Sequence, residues 1–509
     1  MTDIEVGYLT DVEGNLNYFD RWLPTSGVLQ YRPGTTETLE LTHDRAYFVY
    51  GGDLIDRFDG SLRLARRIVD LKKRAPDRVF LLAGNRDLNK VRLTSELADS
   101  DMSRPYTDIP GPHWDPRAPT LAQYLDELAA AKGVPAQSLD TKAARLNYYL
   151  VHTLGCPNGF ELRRKELFLL KKAQGVRGAL ITDDDVVASM VADIAPGGVL
   201  REYLELASIA VVLGNTLFVH GSLDPMSINK VPEDATRFCT PPNPQPFREL
   251  SGGVAEWAKE MNALMQRGLA DHAARPEWDS SRRERGGEVL LALQNRASLS
   301  GRCVVSGAYA DGGTITSADA AARRAQINER AASTPNHEAL LYESWTSDPR
   351  DETVAKWLLE GGVRRVVVGH KPSGDSPAVL AAKYTGVEII SADTCYADGG
   401  SADGRGNAVA GVSLHGPSLD VNCARIFGTL ADGRAHEARL ATLSSSAAGP
   451  AGAAAPPPPE GGDLLVGSEL DEGWWVKALV KADAGAPRVY HCCRGSGRTV
   501  EYRDEVHTD

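Results

Sequence analysis

Short apolar runs, each closed by a polar or glycine-bearing loop, recur along the chain. Val6–Thr10, Arg45–Tyr50 and Arg78–Ala83 are rich in β-branched and aromatic side chains and too short for helices, so they predict strands. Between the second and third, Leu62, Ala65, Ile68, Val69 and Leu71 recur at helical spacing and aim one apolar face at a core. Strand, helix and strand in this order predict a βαβ-like unit, hence an α/β fold. Thr216–Val219, Arg365–Val368 and Val387–Ser391 predict further strands. Ala408–Leu414 and Asp420–Ile426 predict shorter ones that suit a second sheet.

The segments between these runs have a different character. Residues 88–205 are mostly helix-like, with apolar positions at Leu121, Tyr124, Leu125, Leu128 and Ala129, then from Val186 to Ile194 and from Leu200 to Ile209. A second insertion, 222–360, opens on the proline-rich Pro241–Pro246 and predicts helices near 254–268 and 286–298. Insertions of this kind either wall a pocket or serve as structural padding. Ser444–Pro459 is built from Ser, Ala, Gly and Pro, cannot bury a core, and predicts a linker over 444–462. Beyond it, Trp474–Val476, Arg488–His491 and Arg498–Tyr502 predict a small β-rich module over 463–509, short enough to need docking on the main unit, 1–443.

The loops that follow the strands carry the chemistry. Asp11, Glu13, Gly14 and Asn15 follow the first strand, Gly51–Arg57 with Asp53 and Asp56 the second, and Gly84, Asn85, Arg86 and Asp87 the third. His220 follows Thr216–Val219, and His370, Lys371 and Pro372 follow Arg365–Val368. Ligands of α/β sheets gather at strand ends. Hard oxygen donors mixed with imidazoles suit divalent metal, and the mixture is what a two-metal hydrolytic site needs. Taken singly, each Asp or Asn reads as a turn residue and each His as an ordinary one. Their coincidence selects ligation.

In this order the five loops resemble the motifs of the calcineurin-like metallophosphoesterase superfamily: Asp-x-His, Gly-Asp-x-x-Asp-Arg, Gly-Asn-His-Glu, a His at a fourth strand end, and Gly-His-x-His. Gly52–Arg57 matches its motif fully and His220 matches its own; the other three depart at one or two positions. The likeness covers about residues 4–440 and is to a divergent member of the Ser/Thr phosphoprotein phosphatase-like branch. It implies a four-layer β-sandwich flanked by helices, with helical insertions and the small C-terminal appendage. The implied reaction is hydrolysis of phosphomonoesters or phosphoanhydrides by hydroxide held between two divalent ions. By position, Asp53 is implied to bridge the ions, Asp11 and Glu13 to complete one site, and Asn85, His220 and His370 the other. Arg57 is implied to hold phosphate, with Arg86 and Lys371 as further phosphate contacts. Asp56 is implied to orient a neighbour, and Asp56 and Asp87 remain candidates for proton transfer.

Three departures bear on mechanism. Glu13 stands where the family has His, leaving one site with three carboxylates and favouring Mn2+ or Mg2+ over zinc, with iron also among the ions the site could take. Pro372 replaces the second His of the last motif, which the phosphoprotein phosphatase branch also lacks. Arg86 replaces the His implied to protonate the leaving group; a guanidinium holds its proton too tightly for that task but can stabilise phosphoryl charge. The same departures sustain an alternative, a catalytically degenerate fold acting as a phosphate-sensing binding protein or scaffold.

Composition narrows the picture less. The 509 residues exceed one compact core, and a net charge of −12 argues against electrostatic binding of nucleic acid. Seven cysteines without a C-x-x-C pair predict reduced thiols. With no leader-like start and no apolar run of membrane-spanning length, the expectation is a cytoplasmic protein. Its expected partner is a phosphorylated small molecule, nucleotide or phosphoprotein.

Overall fold

A computed structural model describes residues 3–109, 111, 118–223, 228–233, 247–280, 285–293, 352–394, 407–443, 462–481, 485–496 and 499–507. The larger of its two main sheets has nine strands, in the order Thr499–His507, Arg488–Ser496, Trp475–Val480, Ala435–Arg439, Cys423–Thr429, Val409–Gly416, Ile4–Leu9, Ala46–Tyr50 and Val79–Leu81. The smaller has five, in the order Ala378–Leu380, Glu388–Asp393, Arg365–Pro372, Thr216–Val219 and Ala210–Leu213. Ile4–Leu9, Ala46–Tyr50 and Val79–Leu81 are parallel, as are Thr216–Val219 and Arg365–Pro372. Within each sheet the loops that follow these strands therefore leave from the same end.

Alternation along the strands explains the layers. Val6, Tyr8 and Val49 share a buried cluster with Phe218, Val367 and Ile390 of the smaller sheet, and Tyr8 stacks on Phe218 with ring centroids 5.8 Å apart. Their sequence neighbours Phe48, Tyr50, Leu217, Val219, Val366 and Val368 belong to a different cluster. That cluster also holds Leu64 and Ile68 of the helix Ser61–Arg74 and Trp257 and Met261 of the helix Gly253–Ala274. A period of two sends successive side chains to opposite faces. One face meets the other sheet and the other meets helices, which gives a sandwich of helix, sheet, sheet and helix.

Two strands assigned from sequence to the second sheet belong to the first. Val409–Gly416 runs antiparallel to Ile4–Leu9, with Val6 opposite Leu414, and Cys423–Thr429 pairs on its other side. Every residue of Val409–Gly416 except His415 is buried, so only a central position covers both of its faces. The C-terminal strands extend the same sheet: Trp475–Val480 meets Ala435–Arg439 where Val480 pairs with His436. Trp474, Val476 and Tyr490 lie in the same buried cluster as Val6 and Phe218. The stretches Ser444–Pro459 and Pro241–Pro246 lie outside the described residues.

The first insertion has a core of its own. The helices Leu121–Lys132, Lys142–Tyr148, Gly159–Ala173 and Asp183–Ile194 bury Leu125, Leu146, Tyr148, Phe160 and Val186 together. It is also tied to the sheet layers. Glu166 of Gly159–Ala173 accepts hydrogen bonds from the Leu62 and Arg63 amides at 3.0 and 3.1 Å, satisfying N–H groups that the helix Ser61–Arg74 leaves open at its start. The run Leu200–Ile209 is helical only to Leu206. The following residues enter the edge strand Ala210–Leu213, whose backbone is met by the Asn262 amide. Of the predicted 286–298 helix, Glu288–Leu293 is described. Among the described residues no helix is long and apolar enough to cross a membrane.

Candidate metal centre

Backbone conformation already marks the site. Seven described non-glycine residues have positive φ, and five of them are candidates named above: Asp11 (53°), Glu13 (49°), Asp53 (50°), Asp56 (150°) and His370 (65°). Each such residue costs on the order of 1–3 kcal/mol, and such strain persists where the surrounding structure over-determines it. Here the determinant is loop packing. A Cβ on Gly84 would overlap the Asp53 amide and carboxylate, and one on Gly369 would overlap Asp11 and Thr10. Glycine at 84 lets two loops of the larger sheet meet, and glycine at 369 lets a loop of the smaller sheet meet one of the larger.

Asp53, His220 and His370 come together there, each offering one ligand atom within 4.8 Å of the others. Asn85 Oδ1 lies 3.1 Å from His220 Nε2 and 2.9 Å from His370 Nδ1, while Asp53 Oδ1 lies 3.4 Å from His220 Nε2. His220 Nδ1 is 2.8 Å from the Gly51 carbonyl oxygen. A carbonyl can only accept, so Nδ1 carries hydrogen and Nε2 is turned toward the cluster. Burial opposes a charge on His220, yet Asp53 and Asp11 raise its pKa to about 10. Burial likewise opposes the Asp53 charge, but His220 and then Arg86 hold that carboxyl below the usual range. A divalent ion at the same point would be met by a neutral imidazole, since a ligating His nitrogen carries no proton. Oxygen and nitrogen acceptors converging on one point fit a cation.

Asp11 lies beside this cluster. It accepts hydrogen bonds from the His370 amide at 3.0 Å and from the Thr10 hydroxyl, and so joins the two sheets. Burial and the nearby Asp393 push its carboxyl well above the usual range. Glu13, expected as a ligand, instead faces two guanidinium groups: Oε2 is 3.2 Å from Arg57 Nε and Oε1 is 3.2 Å from Arg86 Nε. Burial raises Glu13 to about 7 against the pull of Arg86 and Arg57.

Arg86 is held by three carboxylates. Besides Glu13, its Nε lies 3.5 Å from Asp53 Oδ2 and its Nη1 2.7 Å from Asp56 Oδ2. The other Asp56 oxygen faces Lys90 Nζ at 3.2 Å, and against the effect of burial Lys90 and Arg86 hold Asp56 below the usual range. Asp87, a candidate for proton transfer, instead closes a turn. Its two oxygens accept the Leu54 and Gly84 amides, each at 2.9 Å, although burial and Asp53 raise it to about 7. The Lys371 side chain lies outside the described residues.

Three contributors escaped the motif reading. Lys90 stands one helical turn after Arg86, a spacing that places both on one face and was a legible signal. The Cys156 thiol donates to the Asp56 carbonyl at 3.0 Å, and Asp393 acts on Asp11. Neither carries a local sequence signal.

No protein-family model matches the chain, and no curated protein does. Among solved structures the chain is similar to the cold-active protein-tyrosine phosphatase of the psychrophile Shewanella sp., at 14% identity and a TM-score of 0.33, covering 86% of this chain and 80% of that one. It is also similar to a protein serine/threonine phosphatase from Saccharomyces cerevisiae, at 11% identity and a TM-score of 0.30, covering 82% of this chain and 73% of that one. Likeness at this level carries neither substrate nor mechanism across.

Proposed function

We propose that this chain is a divergent calcineurin-like metallophosphoesterase that hydrolyses phosphomonoesters or phosphoanhydrides with a bound divalent metal, Mn2+, iron or zinc in view of its mixed oxygen and imidazole donors. The observation that supports this reading is the convergence of Asp53, Asn85, His220 and His370 from four strand ends on one point. Bound there, a divalent ion polarises phosphoryl oxygens and lowers the pKa of water.

The remaining work falls to the chain. Asp53 supplies the anionic ligand, and the Gly51 carbonyl fixes the tautomer in which His220 presents Nε2. Asp53 and His220 are buried, whereas Asn85, Arg57, Arg86 and His370 are partly exposed, so substrate meets the site from the guanidinium side. There Arg57 and Arg86 hold phosphoryl oxygens through their planar donor forks. Arg86 keeps its proton, Asp56 is held as a carboxylate, and Asp87 is engaged by two amides. The leaving group therefore departs without a proton from any of these three. The substrate is a phosphorylated small molecule, nucleotide or phosphoprotein of the cytoplasm.

The test is turnover of a chromogenic aryl phosphate by purified protein in Mn2+. Activity is expected, with loss on chelation and recovery when Mn2+ is restored. Turnover that survives complete chelation would sink the metal reading.

A further inference from the structure

We infer that the Arg86 guanidinium stands where a second metal ion would otherwise bind, so that the centre holds one divalent ion per chain. The inference rests on the metal reading above and departs from the two ions that the motif resemblance implies.

Asp53 shows the arrangement most directly. Its Oδ1 faces His220, in the cluster that suits an ion, while its Oδ2 faces Arg86 Nε at 3.5 Å. The carboxylate thus bridges two cationic positions, one for a metal and one filled by a guanidinium. The oxygens that the resemblance gives to a second ion are already engaged: those of Glu13 face Arg86 and Arg57, and Asp11 accepts the His370 amide and the Thr10 hydroxyl. Among the described residues only Asp53, His220 and His370 form a group of His, Cys, Asp or Glu side chains able to hold a metal ion. Three cationic side chains already balance Glu13, Asp53 and Asp56. A second divalent ion would have to displace a guanidinium that never loses its charge and repels it at close range.

The measurement is Mn2+ stoichiometry of the full-length chain by titration calorimetry and elemental analysis, with electron paramagnetic resonance to detect spin-coupled Mn2+ pairs. Wild type is expected to bind one ion with an uncoupled signal. Arg86→Ala, which frees Glu13 Oε1 and Asp53 Oδ2, is expected to bind two with a coupled signal, and Arg86→Lys to remain at one. If Arg86→Ala does not fold, Arg86→His is read in the same way. Two ions or a coupled signal in wild type overturn the inference and leave the metal reading standing. A folded Arg86→Ala or Arg86→His that still binds one ion also overturns it. No bound ion in wild type overturns the metal reading and the inference together.

Discussion

Glu13 Oε1 and Arg86 Nε, carried on loops after two different strands, lie 3.2 Å apart. Each residue stands where the resembled motifs have a histidine, so two imidazoles are exchanged for one ion pair. Removing either side chain deprives a buried charge of one of its partners, leaving Glu13 with Arg57 or Arg86 with Asp53 and Asp56. The two departures are therefore chemically one change, and neither is informative without the other.

The pair should behave as a unit in stability measurements. Glu13→Ala and Arg86→Ala are each expected to destabilise the fold, by less than the penalty of about 3–5 kcal/mol for a buried pair whose remaining charge is left uncompensated, because each keeps another partner. The double variant should cost less than their sum. Urea unfolding of the four proteins checks this, and strict additivity would show that the contact carries no coupling.

Leaving-group dependence tests the chemistry assigned to Arg86. Wild type should cleave aryl phosphates and phosphoanhydrides far faster than alkyl phosphates, since Arg86 cannot protonate an alkoxide. Arg86→His should narrow the gap, because an imidazole titrates near neutral pH. Arg86→Ala should slow all substrates, by about 100-fold or more if it acts as one oxyanion donor. The readout is kcat/KM across a leaving-group series. A flat wild-type dependence with chemistry rate-limiting would mean that another group supplies the proton.

Metal affinity should grade with position in the cluster. Asp53→Asn removes the only carboxylate of the ligating group and should weaken Mn2+ binding beyond the roughly 10–100-fold typical of outer-sphere losses. Asn85→Ala removes a neutral oxygen and should cost less. Calorimetric titration of both variants separates them, and equal losses would contradict the assignment.

The C-terminal strands are clamped to the loop beyond His370 by charge. Lys477, from Trp475–Val480, donates to the Ser373 carbonyl and lies 3.7 Å from Asp375 Oδ1, while His491 Nε2 lies 3.2 Å from Asp375 Oδ2. Burial alone would raise the Asp375 pKa, but the His491 hydrogen bond and Lys477 lower it below the usual range. A depressed folded pKa means that the unfolded chain binds more protons between the two values, so stability rises with pH there. The contribution should be complete above the unfolded carboxyl value of about 3.9 and fade as pH falls below it. Lys477→Met should cost about 3–5 kcal/mol at neutral pH and flatten this acid limb. Denaturation midpoints from pH 3 to pH 7 provide the check, and an unchanged limb would remove Asp375 from the account.

Local pattern was enough for the strand cores and for the loops that meet at their ends. Thr216–Val219 has the same limits in sequence and structure, and Ala46–Tyr50 differs from its predicted run by one residue. Strand periodicity is a property of neighbouring residues, so it can be read without knowing what the strand packs against. The chemical types of Asp53, Asn85, His220 and His370 were legible for the same reason. Tertiary structure decided which of the loop residues face one another. Glu13 turned to Arg86 and Arg57 because the first two strands run parallel with the third beside them, which leads all three loops to one end of the sheet. Glu166 reached Leu62 across 104 residues, and Val409–Gly416 found its place beside Ile4–Leu9 through burial on both faces. Such contacts depend on how sheets and helices stack. Sequence spacing constrains that stacking weakly, because closing a long loop costs little more than closing a short one.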